Sequence, residues 1–228
     1  MGGNAPFLLF ADADLNEAVS SAMSSKFRNA GQTCVCSDRF LVHETVIDEF
    51  CRLLSIEVGK LQVGNGLEKG VNIGPLISSK QVSIVDQKVN DSLSGGATLI
   101  SGGTTLPQIG INFYSPTILK NVSTNDDIFK TETFGPVVAV TSFKTDEEAI
   151  EVANSTGQGL MAYVFTNNMK RIFDVTNKIE AGMIGVNEGI IGTAFTPFGG
   201  VKESGVGREG RSSGLLSYTE QKYVFINT

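Results

Sequence analysis

The sequence predicts an α/β protein in which a mostly parallel sheet carries helices on both faces in a three-layer arrangement. Three observations favour this fold. Short strand-like runs alternate along the chain with segments of helical period. No internal repeat or Pro/Ser-rich linker divides the 228 residues. Hydrophobic residues make up 41% and charged residues 18%, a balance typical of a globular domain with a core of its own.

Five helices are predicted from apolar residues at helical spacing and from their end signals. Asp14 with Glu17 resembles a capping box at the start of the first helix, and Thr145 with Glu148 resembles another. Gly31 is expected to end the first helix. The predicted helices are 15–27, 46–54, 78–93, 145–154 and 168–179.

Short apolar runs between these helices predict the strands. The run at 223–226 is separated from the others by a glycine-rich stretch, and we expect it to extend outward from the domain. The predicted division is therefore residues 1–215 for one α/β domain and residues 216–228 for a C-terminal strand segment. The predicted strands are 39–42, 98–101, 116–119, 137–143, 161–165, 183–186 and 223–226.

Charge and composition argue against several classes of function. The net charge is −6 and no Lys/Arg cluster stands out, so no nucleic-acid partner is expected. No apolar run approaches the roughly 20 residues of a membrane span, so no membrane partner is expected either. Three cysteines and one histidine predict neither a disulfide framework nor a metal site. The N-terminus lacks the basic region of a secretory signal, which favours the cytoplasm.

Cys34 is the first candidate for chemistry. It follows a turn at residues 31–33 between a predicted helix and a predicted strand, and Arg28 lies shortly before it. A reactive cysteine is typically found in a partly exposed, electropositive turn of this kind. The alternative is that Cys34 is a small buried hydrophobe, which is the commoner role of a free cysteine.

Three glycine-containing segments need separate interpretation. Residues 205–210 match G-x-G-x-x-G, but no buried strand precedes them, so a turn is predicted rather than a dinucleotide site. Residues 132–136 stand directly before a strand, where either a functional loop or a surface turn is possible. Residues 196–205 predict a shaped loop in which Phe198 lines a pocket or fills the core.

The segments GGNAPF, GQTC, ETFGP, VNEG and PFGGVKESG, in this order and approximate spacing, resemble the catalytic (C-terminal) domain of the aldehyde dehydrogenase superfamily. The resemblance covers the whole chain. FRNAGQTCVC, VNEG and PFGGVKESGVGREG look most like succinate-semialdehyde dehydrogenases. The resemblance implies that Cys34 is the nucleophile, that its backbone N–H helps to hold the oxyanion, and that an aldehyde is oxidised through a thiohemiacetal and a thioester.

The resemblance also implies roles for other residues and for a cofactor. Arg28 matches an arginine that binds the far carboxylate of a semialdehyde, a task that suits a guanidinium. Phe198 matches an aromatic of the substrate funnel, and Thr193 lies near a further carboxylate-contacting position. Glu132 matches the glutamate that binds the ribose of NAD or NADP, and Phe134 the aromatic near the nicotinamide.

One departure from the family pattern affects the expected activity. The family reads Glu-Leu-Gly-Gly-Asn where this chain begins Met1-Gly2-Gly3-Asn4. We therefore expect these residues to lack the general-base glutamate and the N-terminal cofactor-binding domain. The resemblance then implies that the chain alone is inactive and binds NAD or NADP poorly. It also implies a mitochondrial location if an upstream targeting segment was removed.

Two alternatives remain open at this stage. The chain could be a natural truncated, non-catalytic paralogue that pairs with full-length subunits through residues 223–226, since the full-length family enzyme is expected to be a homo-oligomer. Cys36 is a possible redox partner of Cys34, although a bridge between cysteines two apart is strained and a spectator thiol is the alternative.

Overall fold

The computed structural model describes residues 2–228. Met1, where the sequence is expected to depart from the family pattern, lies outside the described residues. In chain order the elements are β1 (Ala5–Leu9), α1 (Leu15–Phe27), β2 (Ser37–His43), α2 (Ile47–Val58), α3 (Ser79–Ser94), β3 (Thr98–Ser101), β4 (Thr117–Lys120), α4 (Asp127–Lys130), β5 (Val137–Phe143), α5 (Asp146–Asn154), β6 (Gln158–Gly159), β7 (Met161–Phe165), α6 (Met169–Lys178), β8 (Met183–Val186), β9 (Val201–Lys202) and α7 (Arg211–Leu216).

A seven-stranded sheet forms the centre of the molecule in the order β3-β4-β5-β2-β1-β7-β8. All neighbouring strands are parallel except β3, which pairs antiparallel with β4 at one edge. β6 and β9 form a separate antiparallel pair. The predicted α/β class with a mostly parallel sheet is confirmed, and each predicted helix is present with ends shifted by a few residues.

Strand β1 was not predicted, although it lies near the centre of the sheet between β2 and β7. All five of its residues are buried. A parallel strand buried on both faces has no alternation of polar and apolar residues, so its sequence is a plain apolar run. Phe7 of β1 stacks on Phe40 and Phe165, with ring centroids 4.9 Å and 4.4 Å apart, and these rings form part of the core.

The C-terminal segment differs from the prediction. Within residues 2–228, the segment after α7 pairs with no other strand, and residues 223–226 are exposed. A strand is stabilised by hydrogen bonds to a neighbour, and the segment has none in the single chain. Residues 223–226 therefore form no strand in the single chain, and a strand that pairs with another chain stays a prediction.

Candidate active site

Cys34 lies between α1 and β2, just after a turn with left-handed backbone angles. The chain leaves α1 through a short 3₁₀ turn, Arg28–Gly31, in which Asn29, Ala30 and Gly31 have φ values of 50°, 53° and 75°. Gly31 is required for a second reason, because a Cβ there would lie 2.1 Å from the carbonyl oxygen of Gly135. Consecutive left-handed residues are strained and persist only where the surroundings hold them, as at many functional sites.

The loop that carries Cys34 is held from both sides. The backbone N–H of Cys36 donates to the carbonyl oxygen of Thr33 at 3.0 Å. From β7, the Tyr163 hydroxyl donates to the carbonyl oxygen of Val35 at 2.7 Å. Cys34 itself is partly buried and packs against the edge of the core. The thiol is therefore partly accessible to solvent, and these hydrogen bonds hold the backbone of its loop.

Four segments that are distant in sequence meet at this loop. The backbone N–H of Gly3 donates to Oε1 of Glu132 at 3.1 Å. A Cβ on Gly3 would lie 1.9 Å from the carbonyl oxygen of Cys34. The Ser204 hydroxyl, from the glycine-rich loop, donates to the carbonyl oxygen of Gly2 at 2.7 Å. The GGN, GQTC, ETFGP and PFGGVKESG segments thus form one structural cluster.

The surroundings of Cys34 oppose ionisation of its thiol. Burial raises the pKa of Cys34, and the Glu132 carboxylate and Cys36 raise it further against the effect of the Cys34 backbone N–H. Burial likewise raises the pKa of Glu132, while the hydrogen bond from Gly3 lowers it. Because the thiolate is the reactive form of cysteine, Cys34 needs a base or a cation to become a strong nucleophile.

Arg28 has a guanidinium that the described residues do not neutralise. Its Nε atom is buried without a hydrogen-bond partner, and no ion pair forms to it within residues 2–228. Burial raises the pKa of Tyr163 to about 12, while the charge of Arg28 lowers it and Cys34 raises it. Arg28 and Cys34 are therefore both close enough to Tyr163 to act on its hydroxyl.

Phe134 has a left-handed backbone, with φ of 50°, and lines an open cavity of about 540 Å³. Asn29, Gln32 and Leu76 contribute to the same cavity. Its lining combines the Phe134 ring with amide groups of Asn29, Gln32 and Asn112. Glu132 itself does not line this cavity, and the cofactor roles of Glu132 and Phe134 stay predictions.

The remaining predicted site residues are Phe198 and Thr193. Phe198 is half-buried, and its backbone exchanges two hydrogen bonds with Glu209, at 2.9 Å and 2.6 Å. Thr193 lies in an exposed loop, where its hydroxyl contacts that of Thr196 at 3.2 Å. The Thr193 hydroxyl does not hydrogen-bond to Cys34 within the part of the chain that the structure describes. Their substrate roles stay predictions.

Cys36 and the second glycine motif are also placed by the structure. Cys36 is buried, its sulfur lies 2.7 Å from the Thr33 hydroxyl, and all three cysteines are free. Residues 205–210 follow β9, which pairs antiparallel with β6, so no βαβ unit surrounds them. The predicted turn is thereby supported over a dinucleotide fingerprint.

Three further side chains shape the site and were not predicted. Tyr163 binds the loop of Cys34, while Gln81 and Lys88 of α3 donate to the carbonyl oxygens of the Glu132 loop. Each lies in an ordinary strand or helix pattern, and its partner is at least 43 positions away. No local sequence signal distinguishes such residues.

These features define an α/β domain with a loop-borne cysteine of the aldehyde dehydrogenase type. The chain belongs to the aldehyde dehydrogenase family, which it matches over residues 1–224. It is 46% identical to the mitochondrial succinate-semialdehyde dehydrogenase of Oryza sativa subsp. japonica, over 98% of this chain and 42% of the relative. It is 47% identical to the NADP(+) succinate-semialdehyde dehydrogenase of Escherichia coli, over 99% of this chain and 47% of that protein.

Solved structures give the same result. The succinate-semialdehyde dehydrogenase of Burkholderia pseudomallei superposes with a TM-score of 0.94 at 46% identity, over 96% of this chain and 45% of that one. The chain therefore spans less than half the length of these relatives. Among the described residues, no helix has the length and apolarity to cross a membrane.

Proposed function

We propose that this chain supplies the nucleophile and substrate half of an NAD(P)-dependent dehydrogenase that oxidises succinic semialdehyde to succinate. The observation that carries the proposal is that Arg28, whose buried Nε has no hydrogen-bond partner among the described residues, lies on the turn that precedes the Cys34 loop. A semialdehyde offers a carbonyl to the first group and a carboxylate to the second. The identity to the rice and Escherichia coli enzymes supports this substrate class.

In the proposed reaction, Arg28 binds the far carboxylate through two parallel hydrogen bonds and thereby orients the aldehyde toward Cys34. The thiolate of Cys34 adds to the aldehyde carbon to give a thiohemiacetal, whose oxyanion accepts a hydrogen bond from the Cys34 backbone N–H. Loss of the hydride would leave a thioester on Cys34, and NAD(P)+, held at its nicotinamide end by Glu132 and Phe134, would supply the hydride acceptor. Water then hydrolyses the thioester and releases succinate.

The cofactor role proposed for Phe134 rests on the cavity, and that proposed for Glu132 rests on its second carboxylate oxygen. Phe134 lines the 540 Å³ space beside Gln32, where its ring can contact a nicotinamide. Glu132 binds Gly3 through Oε1, so that Oε2 remains for a ribose hydroxyl. We propose that these two residues hold only the nicotinamide end, and that NAD or NADP binds weakly to the 228 residues alone.

We expect low activity from the chain alone, because the raised pKa of Cys34 disfavours the reactive thiolate. Burial raises this pKa, and the neighbouring Glu132 carboxylate raises it further. We expect no NAD(P)H from succinic semialdehyde above a Cys34→Ala control. Turnover clearly above that control would contradict this part of the proposal.

A chimera provides the positive test. The cofactor-binding domain of the Escherichia coli relative, joined to this chain, is expected to oxidise succinic semialdehyde, and Cys34→Ala is expected to abolish the reaction. Arg28→Ala should raise KM at least about tenfold for succinic semialdehyde and much less for butanal, because a charged hydrogen-bonded pair is worth about 1.5–3 kcal/mol. Equal effects on both aldehydes would remove Arg28 from the substrate site.

A second candidate function is that of a non-catalytic partner of full-length subunits. The exposed apolar side chains of the C-terminal segment favour it, since Tyr223, Val224, Phe225 and Ile226 are all at least 66% exposed. An extended segment of this kind can pair with the sheet edge of another chain. Light scattering and co-purification with a full-length relative test it, and a strict monomer that captures no such subunit would argue against it.

A further inference from the structure

Helix α3 presents two long polar side chains to the loop that carries Glu132. Gln81 and Lys88 are seven residues apart, and two helical turns place them on the same face. The amide nitrogen of Gln81 donates to the carbonyl oxygens of Thr133 and Phe134, at 3.0 Å and 3.2 Å. One side chain thus binds two successive peptide groups of the loop.

Lys88 binds the two preceding peptide groups. Its ammonium donates to the carbonyl oxygens of Thr131 and Glu132, at 3.1 Å and 3.0 Å, and also to the Thr131 hydroxyl. Lys88 is only 7% exposed, and a buried ammonium is costly unless its N–H groups are bound. The nearest carboxylate, Asp127, lies 3.4 Å away and is mostly exposed. The loop carbonyls are therefore the principal partners of this buried charge.

The carboxylate of Glu132 lies beside Gly3 and influences the thiol. It accepts a hydrogen bond from the Gly3 backbone N–H at 3.1 Å. Burial raises the pKa of Cys34, and the Glu132 charge and the neighbouring Cys36 raise it further. Around Glu132 itself, the charged groups are Asp38, Lys26 and Lys88. If the loop 131–134 moved, the carboxylate would lose its contact with Gly3 and its effect on the thiol would fall.

We propose that Gln81 and Lys88 are positioning residues of the site, which clamp four successive carbonyl groups at 131–134 so that Glu132 stays beside Cys34 and Phe134 stays in its cavity. The catalytic meaning of this clamp rests on the proposed function. The positioning of the loop by these two side chains does not rest on that function, because the reactivity of the thiol can be measured without turnover.

The test follows alkylation of Cys34 by iodoacetamide in the 228-residue chain at pH 7.5, with mass spectrometry as the readout. Glu132→Gln removes the carboxylate charge and is expected to speed alkylation about two- to threefold. Gln81→Leu and Lys88→Met are expected to give a similar increase, because each releases the loop. Lys80→Met removes an exposed lysine from the same helix and should leave the parent rate.

Double variants separate positioning from simple exposure of the thiol. Adding Gln81→Leu to Glu132→Gln should give no further increase, because the carboxylate charge is already gone. An increase that persists in the Glu132→Gln background means that the clamp only limits access to Cys34, and it overturns the proposal. Parent rates in both Gln81→Leu and Lys88→Met overturn it as well.

Alkylation of the two buried cysteines reports whether a variant has unfolded. If Lys88→Met unfolds the chain, Cys36 and Cys51 will be alkylated too, since both are buried in the folded protein. Gln81→Leu then decides the question, because it replaces a half-buried neutral side chain and leaves the buried lysine in place. Failure of the chimera to oxidise aldehydes would leave this result unaffected.

Discussion

The backbone N–H of Gly3 donates to Oε1 of Glu132 at 3.1 Å, although the two residues are 129 positions apart in the sequence. Gly3 also packs its α-carbon against the Cys34 loop, where an added Cβ would lie 1.9 Å from a carbonyl oxygen. One glycine therefore joins the strand β1 to both functional loops. A side chain at this position would force the two loops apart.

Gly3→Ala is expected to destabilise the chain by about 1–3 kcal/mol, the usual cost of overpacking a tight interior contact. Urea unfolding followed by circular dichroism measures the change. Gly66→Ala is the matched control, because nothing lies within 4 Å of a Cβ at that glycine. A loss no greater than that of Gly66→Ala would show that the backbone at Gly3 relaxes freely.

Cys34 is expected to be the one cysteine that iodoacetamide modifies in the folded chain. Cys36 and Cys51 are 1% and 3% exposed, and burial raises the pKa of Cys51 to about 11. The rate at Cys34 should continue to rise with pH beyond the ordinary range of a thiol, because burial and then Glu132 raise its pKa. A plateau of the rate near neutral pH would contradict the raised pKa.

Glu132→Gln is expected to change the pH dependence of stability. Burial raises the pKa of Glu132 in the folded chain, so that the folded state binds a proton more tightly than the unfolded state does. Stability then falls as pH rises from the ordinary glutamate pKa through the raised one. The glutamine variant avoids this loss.

The melting temperature of Glu132→Gln, relative to the parent chain, should therefore be higher at pH 7 than at pH 4. Glu220→Gln, which changes an exposed carboxylate of the C-terminal segment, serves as the control. A relative melting temperature that does not change between pH 4 and pH 7 would show that Glu132 is not desolvated.

Local patterns were enough to predict most of the fold. Helical period and β-branched runs depend on neighbouring residues, so five helices and six strands along 15–186 could be predicted, whereas the short elements α4 and β6 were missed. Strand β1 was missed because burial on both faces removes its alternation. Residues 223–226 form no strand in the single chain, since a favourable sequence forms a strand only where a partner strand exists.

The candidate site was predictable in part. Cys34 could be proposed because turn residues precede it. Glu132 and Phe134 could be proposed only because their segment resembles a motif of the aldehyde dehydrogenase family. The clamp by Lys88 could not be predicted, because lysine on a helix is usually solvated and its partners lie 43 and 44 positions away. Contacts of this kind depend on the tertiary structure alone.

Two contacts close the base of the Cys34 loop. Lys26, at the end of α1, forms an ion pair of 2.6 Å with Asp38 in β2, and their side chains are 0% and 3% exposed. Next to it, the hydroxyl groups of Ser25 and Ser37 are 2.7 Å apart. The residues from 27 to 36 are thus tied at both ends to the packed part of the fold.

Lys26→Met should destabilise the chain by about 3–5 kcal/mol, because it leaves the Asp38 carboxylate buried without a cation. The double variant Lys26→Met/Asp38→Leu replaces the pair by apolar groups and should recover much of that loss. Urea unfolding of the two single variants and the double variant completes the cycle. Losses that simply add in the double variant would mean that the two charges do not interact, and the stability of the loop would then depend on the serine pair and on the bond from Tyr163 to Val35.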